Sequence, residues 1–292
     1  MKCISVITPS YNRANLLPKA YESLKQQTSK EFEWIVVDDG SKDNTDEVVQ
    51  KFISENQIDI KFLKKENGGK HTAVNRGVKE ASGELVLILD SDDILFKDAI
   101  ETILNDWPEF AFDPKICGIS YNRKINVNIK QPQFPKNKLV SNHIEFRYNK
   151  NFIADRVEVY RTEIMKKYPF PEIKGERFMS ETIVWNKIAY EYNTVYIDKD
   201  IYGCEYIEGG LTSNSIKTRV NSPKGAMLNY EIMMKKPFKL KLRVKYSILY
   251  NAFSNFAKVS YKERIKNGNG LLITLSKPFG DVIYLKWKKY LK

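Results

Sequence analysis

At 292 residues, with 42% apolar and 29% charged residues, the chain has the make-up of a soluble folded protein. It is long enough for one large α/β domain or a domain with an appendage. Its net charge of +12 is unevenly spread: residues 233–292 hold 15 Lys and Arg against Glu263 and Asp281, a net of +13, and the rest nets −1. That asymmetry predicts two parts with different jobs. No apolar run approaches the ~18 residues needed to span a bilayer. The two longest, residues 85–89 and 271–275, read as short buried strands or core segments. The opening Met1-Lys2-Cys3-Ile4-Ser5-Val6-Ile7-Thr8-Pro9 turns polar too soon for a signal peptide, so a cytoplasmic location is expected. Cys3, Cys117 and Cys204 are odd in number and far apart, which fits neither a disulfide framework nor a zinc motif; they read as buried small residues.

Residues 4–8 are mostly β-branched and apolar and predict a strand. Residues 15–27 carry Leu16, Leu17, Ala20, Tyr21 and Leu24 at helical spacing, with Pro18 tolerated in the first turn. A second strand over 33–37 runs into Asp38-Asp39-Gly40-Ser41. A helix over 44–55, a short strand over 59–64, the loop Asn67-Gly68-Gly69 and a helix over 71–81 follow. A fourth strand, 85–89, is apolar throughout, so both its faces must be buried; it stops at Asp90-Ser91-Asp92-Asp93. This alternation predicts a doubly wound, mostly parallel sheet flanked by helices. Beyond Asp93 a helix over 97–107 and a strand over 116–121 are expected. Residues 125–151 look like a long irregular excursion, of the kind that is often functional. A helix over 180–192 and a strand over 194–197 come next, then a basic, mainly helical C-terminal region. The domain expectation is a catalytic domain over 1–220, its nucleotide half being 1–110 and its acceptor half 111–220, followed by an appendage over 221–292.

In such sheets ligands bind beyond the carboxyl ends of the strands. Thr8-Pro9-Ser10-Tyr11-Asn12, Asp38-Asp39 and Asp90-Ser91-Asp92 all lie just past strand ends, so three polar clusters should converge on one edge. Asp90 and Asp92 are hard oxygen donors suited to Mg²⁺ or Mn²⁺, which commonly takes one or two carboxylates plus substrate phosphates. The plainer reading makes them turn formers. Asp39 could accept from a base or ribose, or Asp38-Asp39-Gly40-Ser41 could be no more than a strand-to-helix turn. Tyr11 could stack on a base or pack in the core. Lys70 could reach a base or phosphate, or stay a solvated lysine. His71 alone reads as a helix-start residue.

In their order and spacing, these clusters resemble the family 2 glycosyltransferases with the GT-A fold. The residues that carry the likeness are Ser5-Val6-Ile7-Thr8-Pro9-Ser10-Tyr11-Asn12-Arg13, Gln26-Gln27-Thr28 and Glu33-Trp34-Ile35-Val36-Val37-Asp38-Asp39-Gly40-Ser41. They continue through Asn67-Gly68-Gly69-Lys70-His71, Asn75-Arg76-Gly77, Gly83-Glu84 and Leu89-Asp90-Ser91-Asp92-Asp93. The match covers about the first third of the chain and is specific as an ensemble. The resemblance implies an inverting hexosyltransferase-type enzyme that moves a sugar from a nucleotide diphosphate, with UDP expected, to an acceptor hydroxyl. It implies Mn²⁺ or Mg²⁺ as cofactor and a saccharide or lipid-linked saccharide acceptor in cell-surface polysaccharide synthesis. Thr8, Pro9, Tyr11, Asp39, Lys70, Asp90, Ser91 and Asp92 would then bind the donor. Asp92 would be the direct metal ligand and Asp90 would lie closer to the ribose. The acceptor's general base would be Glu181, at the start of a helix, with Glu176 as runner-up; relatives often show Glu-Asp where this chain has Ser180-Glu181. Tyr202-Gly203-Cys204-Glu205-Tyr206-Ile207-Glu208-Gly209-Gly210-Leu211-Thr212 resembles the loop that closes over the diphosphate, although no Arg or His occurs there before Arg219.

The basic region holds Val244, Ile248, Leu249, Ala252, Phe253 and Phe256 at helical spacing behind Lys239, Lys241, Arg243 and Lys245. A basic amphipathic stretch can lie on an anionic membrane surface, with Phe253, Phe256 or Trp287 inserting. Equally, it can pack on the catalytic domain with a solvated lysine face. No recognition motif accompanies the charge, so nucleic acid is not an expected partner. Two rival functions are a nucleotidyltransferase making nucleotide sugars and a non-catalytic carbohydrate-binding scaffold. The first would carry a Gly-rich basic signature after the first strand, where Thr8-Pro9-Ser10-Tyr11-Asn12-Arg13 stands. Intact Asp39, Asp90, Asp92 and Glu181 weigh against the second.

Overall fold

The computed structural model describes residues 3–125, 137–204 and 215–291. Packing divides the chain into two compact units. One comprises Met1–Asn142, Ile153–Pro169 and Glu191–Tyr206; the other comprises His143–Phe152, Phe170–Tyr190 and Ile207–Lys292. The units interleave along the chain, so division by packing is a different division from the one drawn by charge.

The first unit opens with β1 (Ile4–Ser10), α1 (Leu17–Lys25), β2 (Phe32–Asp38), α2 (Thr45–Glu55), β3 (Ile60–Lys64), α3 (Lys70–Glu80) and β4 (Leu85–Ile88). All seven match the expected elements to within a few residues. β3, β2, β1 and β4 pair in parallel, with Ser10 of β1 in register with Asp38 of β2 and Ile7 with Ile88 of β4. The carboxyl ends of these strands therefore share one edge. On one face, Tyr21 of α1 stacks on Phe52 of α2 with ring centroids 4.1 Å apart, and both rings stack on the buried Trp34 of β2. Burying side chains of this size contributes about 1.5–3 kcal/mol each.

The unit continues with β5 (Ile94–Leu95), α4 (Ala99–Asp106), β6 (Ile116–Ile125), β7 (Lys138–Ser141), β8 (Arg156–Arg161), α5 (Thr162–Lys167) and β9 (Asn193–Cys204). The strand order is β3-β2-β1-β4-β8-β6-β9-β5, with β7 on β9. β8 runs antiparallel between β4 and β6, β6 and β9 are parallel, and β5 and β7 are antiparallel to β9. Beyond the parallel half the sheet is thus mixed. Residues 125–151 are not one irregular excursion. β7 and a π-helical turn, Ile144–Asn149, interrupt them, and 126–136 lie outside the described residues. β8 carries charge at three of its six positions, a poor advertisement for a sheet interior. Arg156 is nevertheless buried there, donating to the Ser120 and Ile197 carbonyls, to Ser120 Oγ and to Asn122 Oδ1. Of the three free cysteines Cys117 is buried, as expected, whereas Cys3 and Cys204 are half-buried.

The second unit holds α6 (Thr182–Ile188), α7 (Ser215–Val220), α8 (Pro223–Met233), α9 (Leu240–Phe256), α10 (Tyr261–Asn267) and α11 (Gly270–Trp287). Tyr230, Tyr246, Tyr250, Phe253 and Ile273 lie in its core. Of the apolar stripe expected on the helix over 238–256, Ala252, Phe253 and Phe256 are buried, the last two in this core, and Ile248 and Leu249 are half-buried, whereas Val244 is exposed. Residues 271–275 are not a buried strand. They form the first turns of α11, and Leu271 and Leu275 are exposed.

Candidate active site

The three polar clusters expected at one sheet edge are found there. At the end of β2, Asp39 is buried and each of its carboxylate oxygens accepts a hydrogen bond. Oδ1 accepts from Lys65 Nζ at 2.7 Å and from the Gly68 amide at 3.0 Å, and Oδ2 accepts from the Gly69 amide at 2.7 Å. Lys65 Nζ also reaches Thr72 Oγ1 at 2.8 Å, so one ammonium joins the strand end to the first turn of α3. This close approach needs a glycine: Gly40 has φ +80°, and a Cβ there would lie 2.9 Å from the Asn67 amide nitrogen. Asp38 accepts from the Ser41 amide at 2.9 Å, which closes the turn after β2.

At the end of β1, Thr8 is buried, and its hydroxyl accepts the Trp34 indole N–H at 2.8 Å. Pro9 is buried as well. Tyr11 is 41% exposed, which excludes a core role and leaves its ring open to solvent. Asn12 has φ +51°, a region Asn tolerates better than most residues. Its side-chain oxygen accepts from the Lys42 amide, and its own amide donates to Ser41 Oγ, so the turns after β1 and β2 are stitched together.

At the end of β4, Asp90, Asp92 and Asp93 fall within four residues around buried Ser91. Lys70, the first residue of α3, sits 2.6 Å from Asp90 Oδ1, and Arg13 sits 3.3 Å from Asp92 Oδ2. Burial alone would raise the Asp90 carboxyl; Lys70, then Arg123 and Arg13, outweigh it and hold the group below the usual carboxylate range. Asp93 goes the other way, pushed up to about 7 by burial and by neighbouring Asp90 and Asp92. Tyr202 of β9 bridges the cluster: its hydroxyl accepts the Asp90 amide at 3.0 Å and donates to Asp93 Oδ2 at 2.8 Å. Arg123 of β6 lies over the Tyr202 ring at 4.3 Å and approaches Asp93 at 4.0 Å.

A divalent ion fits this donor set on chemical grounds. Among the described residues no group of three or more His, Cys, Asp and Glu is gathered as a ready-made cage. Two hard carboxylates at a strand end instead suit an ion that completes its shell with water and phosphate oxygens, as Mg²⁺ and Mn²⁺ do. Burial is the main cause of the rise at Asp93; the smaller part that comes from Asp90 and Asp92 is what such an ion would relieve. Sequence reasoning gave no individual role to Lys65, Arg13, Arg123 or Asp93, and placed Tyr202 only at the start of the loop expected to close over the diphosphate. For the cations the signal was available: several carboxylates crowded at one edge require partners nearby. A depression lined by Lys30, Phe32, Asn56 and Asp59 lies at the opposite, amino edge of β2 and β3 and holds none of these groups.

In the second unit, Glu181 stands at the N-cap of α6, half-buried, its carbonyl accepting from Val184 and Trp185. Glu176 is buried, and its two oxygens accept the Lys224 and Gly225 amides at 2.6 Å each. Its carboxylate is thus committed to the first turn of α8, which favours Glu181 over it as the base. Of the loop expected to close over the diphosphate, residues 202–204 complete β9 and 205–212 lie outside the described residues.

Known proteins bear on the fold and the family. An uncharacterized glycosyltransferase of Rickettsia conorii is 42% identical over 199 residues, covering 68% of this chain and 32% of its own length. A Campylobacter jejuni protein, GalNAc(5)-diNAcBac-PP-undecaprenol beta-1,3-glucosyltransferase, is 31% identical over 202 residues, covering 68% of this chain and 63% of its own. The chain spans only 18–32% of the length of several curated relatives it matches. Among solved structures, S. aureus TarS 1–349 in complex with UDP superposes with a TM-score of 0.63 at 22% identity, covering 87% of this chain and 72% of that one. The mannosyltransferase PcManGT from Pyrobaculum calidifontis, in complex with GDP-Man and Mn²⁺, does so with a TM-score of 0.58 at 16% identity, covering 98% and 84%. These likenesses establish the expected GT-A fold with its C-terminal helices. The model of glycosyl transferase family 2 matches residues 5–168, more than half of the chain, and the chain belongs to that family.

Proposed function

We propose that the chain is an inverting glycosyltransferase that moves a sugar from a UDP-sugar to an acceptor hydroxyl in the synthesis of a cell-surface polysaccharide. The observation that carries this reading is the shared edge, where Asp39 past the end of β2 and Asp90 and Asp92 past the end of β4 flank the end of β1. Asp39, Thr8, Pro9 and exposed Tyr11 form the base and ribose end. Lys70, Asp90, Ser91 and Asp92 form the diphosphate end. Asp92, with Asp90, would hold Mn²⁺ or Mg²⁺. When bound, that ion supplies neutralisation of the charge gathering on the departing diphosphate. Lys70 and Arg13, now on Asp90 and Asp92, are cations that phosphate oxygens would attract once the carboxylates are otherwise engaged. In the transfer itself, the acceptor oxygen bonds to the anomeric carbon, the bond from that carbon to the diphosphate oxygen breaks, and Glu181 takes the acceptor's proton. The diphosphate leaves with the electron pair, and the anomeric centre inverts. The relative named for an undecaprenol-linked saccharide and the UDP and Mn²⁺ complexes of the structural neighbours support this assignment. A lipid-linked acceptor would place the protein at the inner face of the plasma membrane, toward which the +13 of residues 233–292 is attracted.

Titration calorimetry tests the donor end. UDP should bind the wild-type chain at least ~10-fold more tightly than GDP or ADP, a margin of ~1.4 kcal/mol. Asp39→Ala should abolish that preference. Equal affinity for the three nucleotides in the wild type would refute the assignment.

A further inference from the structure

The packed side of α11 is made for close contact. Ile273, Ser276 and Gly280 are buried along one face of the helix. Asn251 of α9 donates to the Ile273 carbonyl and to Ser276 Oγ at 2.9 Å each. A Cβ on Gly280 would come 2.5 Å from Asn251 Cβ, so only glycine lets the two helices meet there. Tyr284 and Trp287 pack on the same core.

The other side of α11 is apolar too. Leu271, Leu275, Phe279, Val282 and Leu285 follow one another at intervals of four, four, three and three residues, a single stripe along the helix. Each is 63–70% exposed. A helix that buries one apolar face and leaves a second in water needs an explanation, because runs of this kind mark an interaction surface. The charge around the stripe says what covers it. Lys286, Lys288 and Lys289 are exposed at its C-terminal end, Lys262 and Lys266 are exposed on the preceding α10, and Asp281 is held by Lys277 at 2.7 Å. A second copy of the chain would bring the same positive charge. The stripe is also small for a dimer: 18 residues of helix make a strip about 27 Å by about 10 Å, well short of the ~800 Å² per partner of a stable interface.

We infer that the outer face of α11 is an interfacial membrane anchor, its five apolar side chains entering the acyl boundary of an anionic bilayer while the lysines meet the headgroups. The inference deepens the membrane part of the proposed function and is independent of the sugar chemistry. It also changes the inserting residues, because Phe253 and Phe256 are core and cannot reach lipid. No helix of the described residues is long and apolar enough to cross a membrane, which accords with a helix lying in the surface.

The test is co-sedimentation of the full chain, without nucleotide, with vesicles of phosphatidylcholine alone or with about one third phosphatidylglycerol. The wild type should bind the anionic vesicles, and raising salt should weaken the binding without abolishing it. Leu275→Gln/Phe279→Gln/Val282→Gln keeps every charge and should partition about 100-fold more weakly. Lys286→Gln/Lys288→Gln/Lys289→Gln should lose the preference for anionic lipid. Circular dichroism and UDP affinity, read on the same samples, separate failure of the anchor from failure of the fold or of the donor site. Unchanged vesicle binding by the stripe variant would overturn the inference. So would a wild type that ignores vesicles and sediments alone as a dimer that the stripe variant dissociates.

Discussion

The two units carry charge in opposite ways. At its functional edge the first unit crowds Asp39, Asp90, Asp92 and Asp93 together and answers them with Lys65, Lys70, Arg13 and Arg123. The second unit contains all of the excess positive charge; among its described residues Lys235 pairs with Glu231 and Lys277 with Asp281, while Lys241, Lys245 and Lys288 face solvent. A balanced cluster is one in which partners can be exchanged. On the proposed reading, a metal that took the carboxylates would leave these cations beside the site for phosphate. An unbalanced surface has no such exchange to make, and its complement must come from outside the chain. The proposed function assigns the compensated cluster to chemistry and the uncompensated charge to location.

The largest expected effect tests whether chemistry also reaches into the second unit. Glu181→Gln preserves shape and removes the proposed base, which should lower transfer by ~10²–10⁴-fold while UDP affinity stays within experimental error. Glu176→Gln should do the reverse. Its carboxylate holds two amides of α8, so the change should cost about 0.5–2 kcal/mol of stability, seen as a lower Tm, with little loss of rate per folded molecule. If Glu176→Gln is the slow variant and Glu181→Gln is not, the base assignment fails. Within the first unit, Asp92→Ala should cost about 10²–10³-fold in turnover. EDTA should reproduce that loss in the wild type and add nothing in the variant. Full activity in EDTA would break the link between carboxylate crowding and metal.

These variants fall where the chain was easiest to read. Up to Asp93 every local signal agrees: apolar strands, helix spacing, Gly40 where a positive φ is needed, and acids just past strand ends. β1, β2 and β4 bury both faces, so their sequences are simple, while the edge strand β3 is mostly half-buried and includes Lys61 and Lys64. The rest was hidden for physical reasons. β8 buries Arg156 by means of carbonyls on β6 and β9 that are remote in sequence, and no local pattern announces that. α11 has apolar residues on two opposite faces, so its helical periodicity cancels; Leu271 and Leu275 then read as core when they are surface. Glu176 and Glu181 look alike in sequence, and only the folded position of α8 shows that the first is spent on a helix terminus. Tyr202 lies 109 residues from the Asp93 it serves.

Tyr202→Phe sharpens the comparison at a smaller scale. It removes one oxygen that steadies both the Asp90 amide and the Asp93 carboxylate, and it leaves the ring under Arg123. Groups that orient metal-binding carboxylates typically contribute 10–100-fold to metal affinity. Mn²⁺ affinity in the presence of UDP should fall by about that factor, with metal-free UDP binding nearly unchanged. Equal losses in both would mean that Tyr202 serves only packing.

The smallest effect concerns a carboxylate of the first unit that holds the sheet and takes no part at the edge. Glu33 is buried on β2, and its Oε1 accepts from Ser5 Oγ at 2.6 Å and from the amide and hydroxyl of Ser82 at 2.7 Å each. Burial alone would raise its pKa; the hydrogen bonds from Ser5 and Ser82 prevail and hold it below the usual range. A carboxyl depressed in the folded state contributes stability that is present above its unfolded value, ~4.3, and is lost as pH falls through the folded value. Glu33→Gln should therefore destabilise the protein by about 1–3 kcal/mol at pH 7. The gap in Tm between variant and wild type should narrow as pH falls from ~5 toward 3, because the wild type protonates the same oxygen pair that the variant has already neutralised. A gap that stays constant over that range would show that the ionised form of Glu33 contributes nothing to holding β1, β2 and the turn before β4 together.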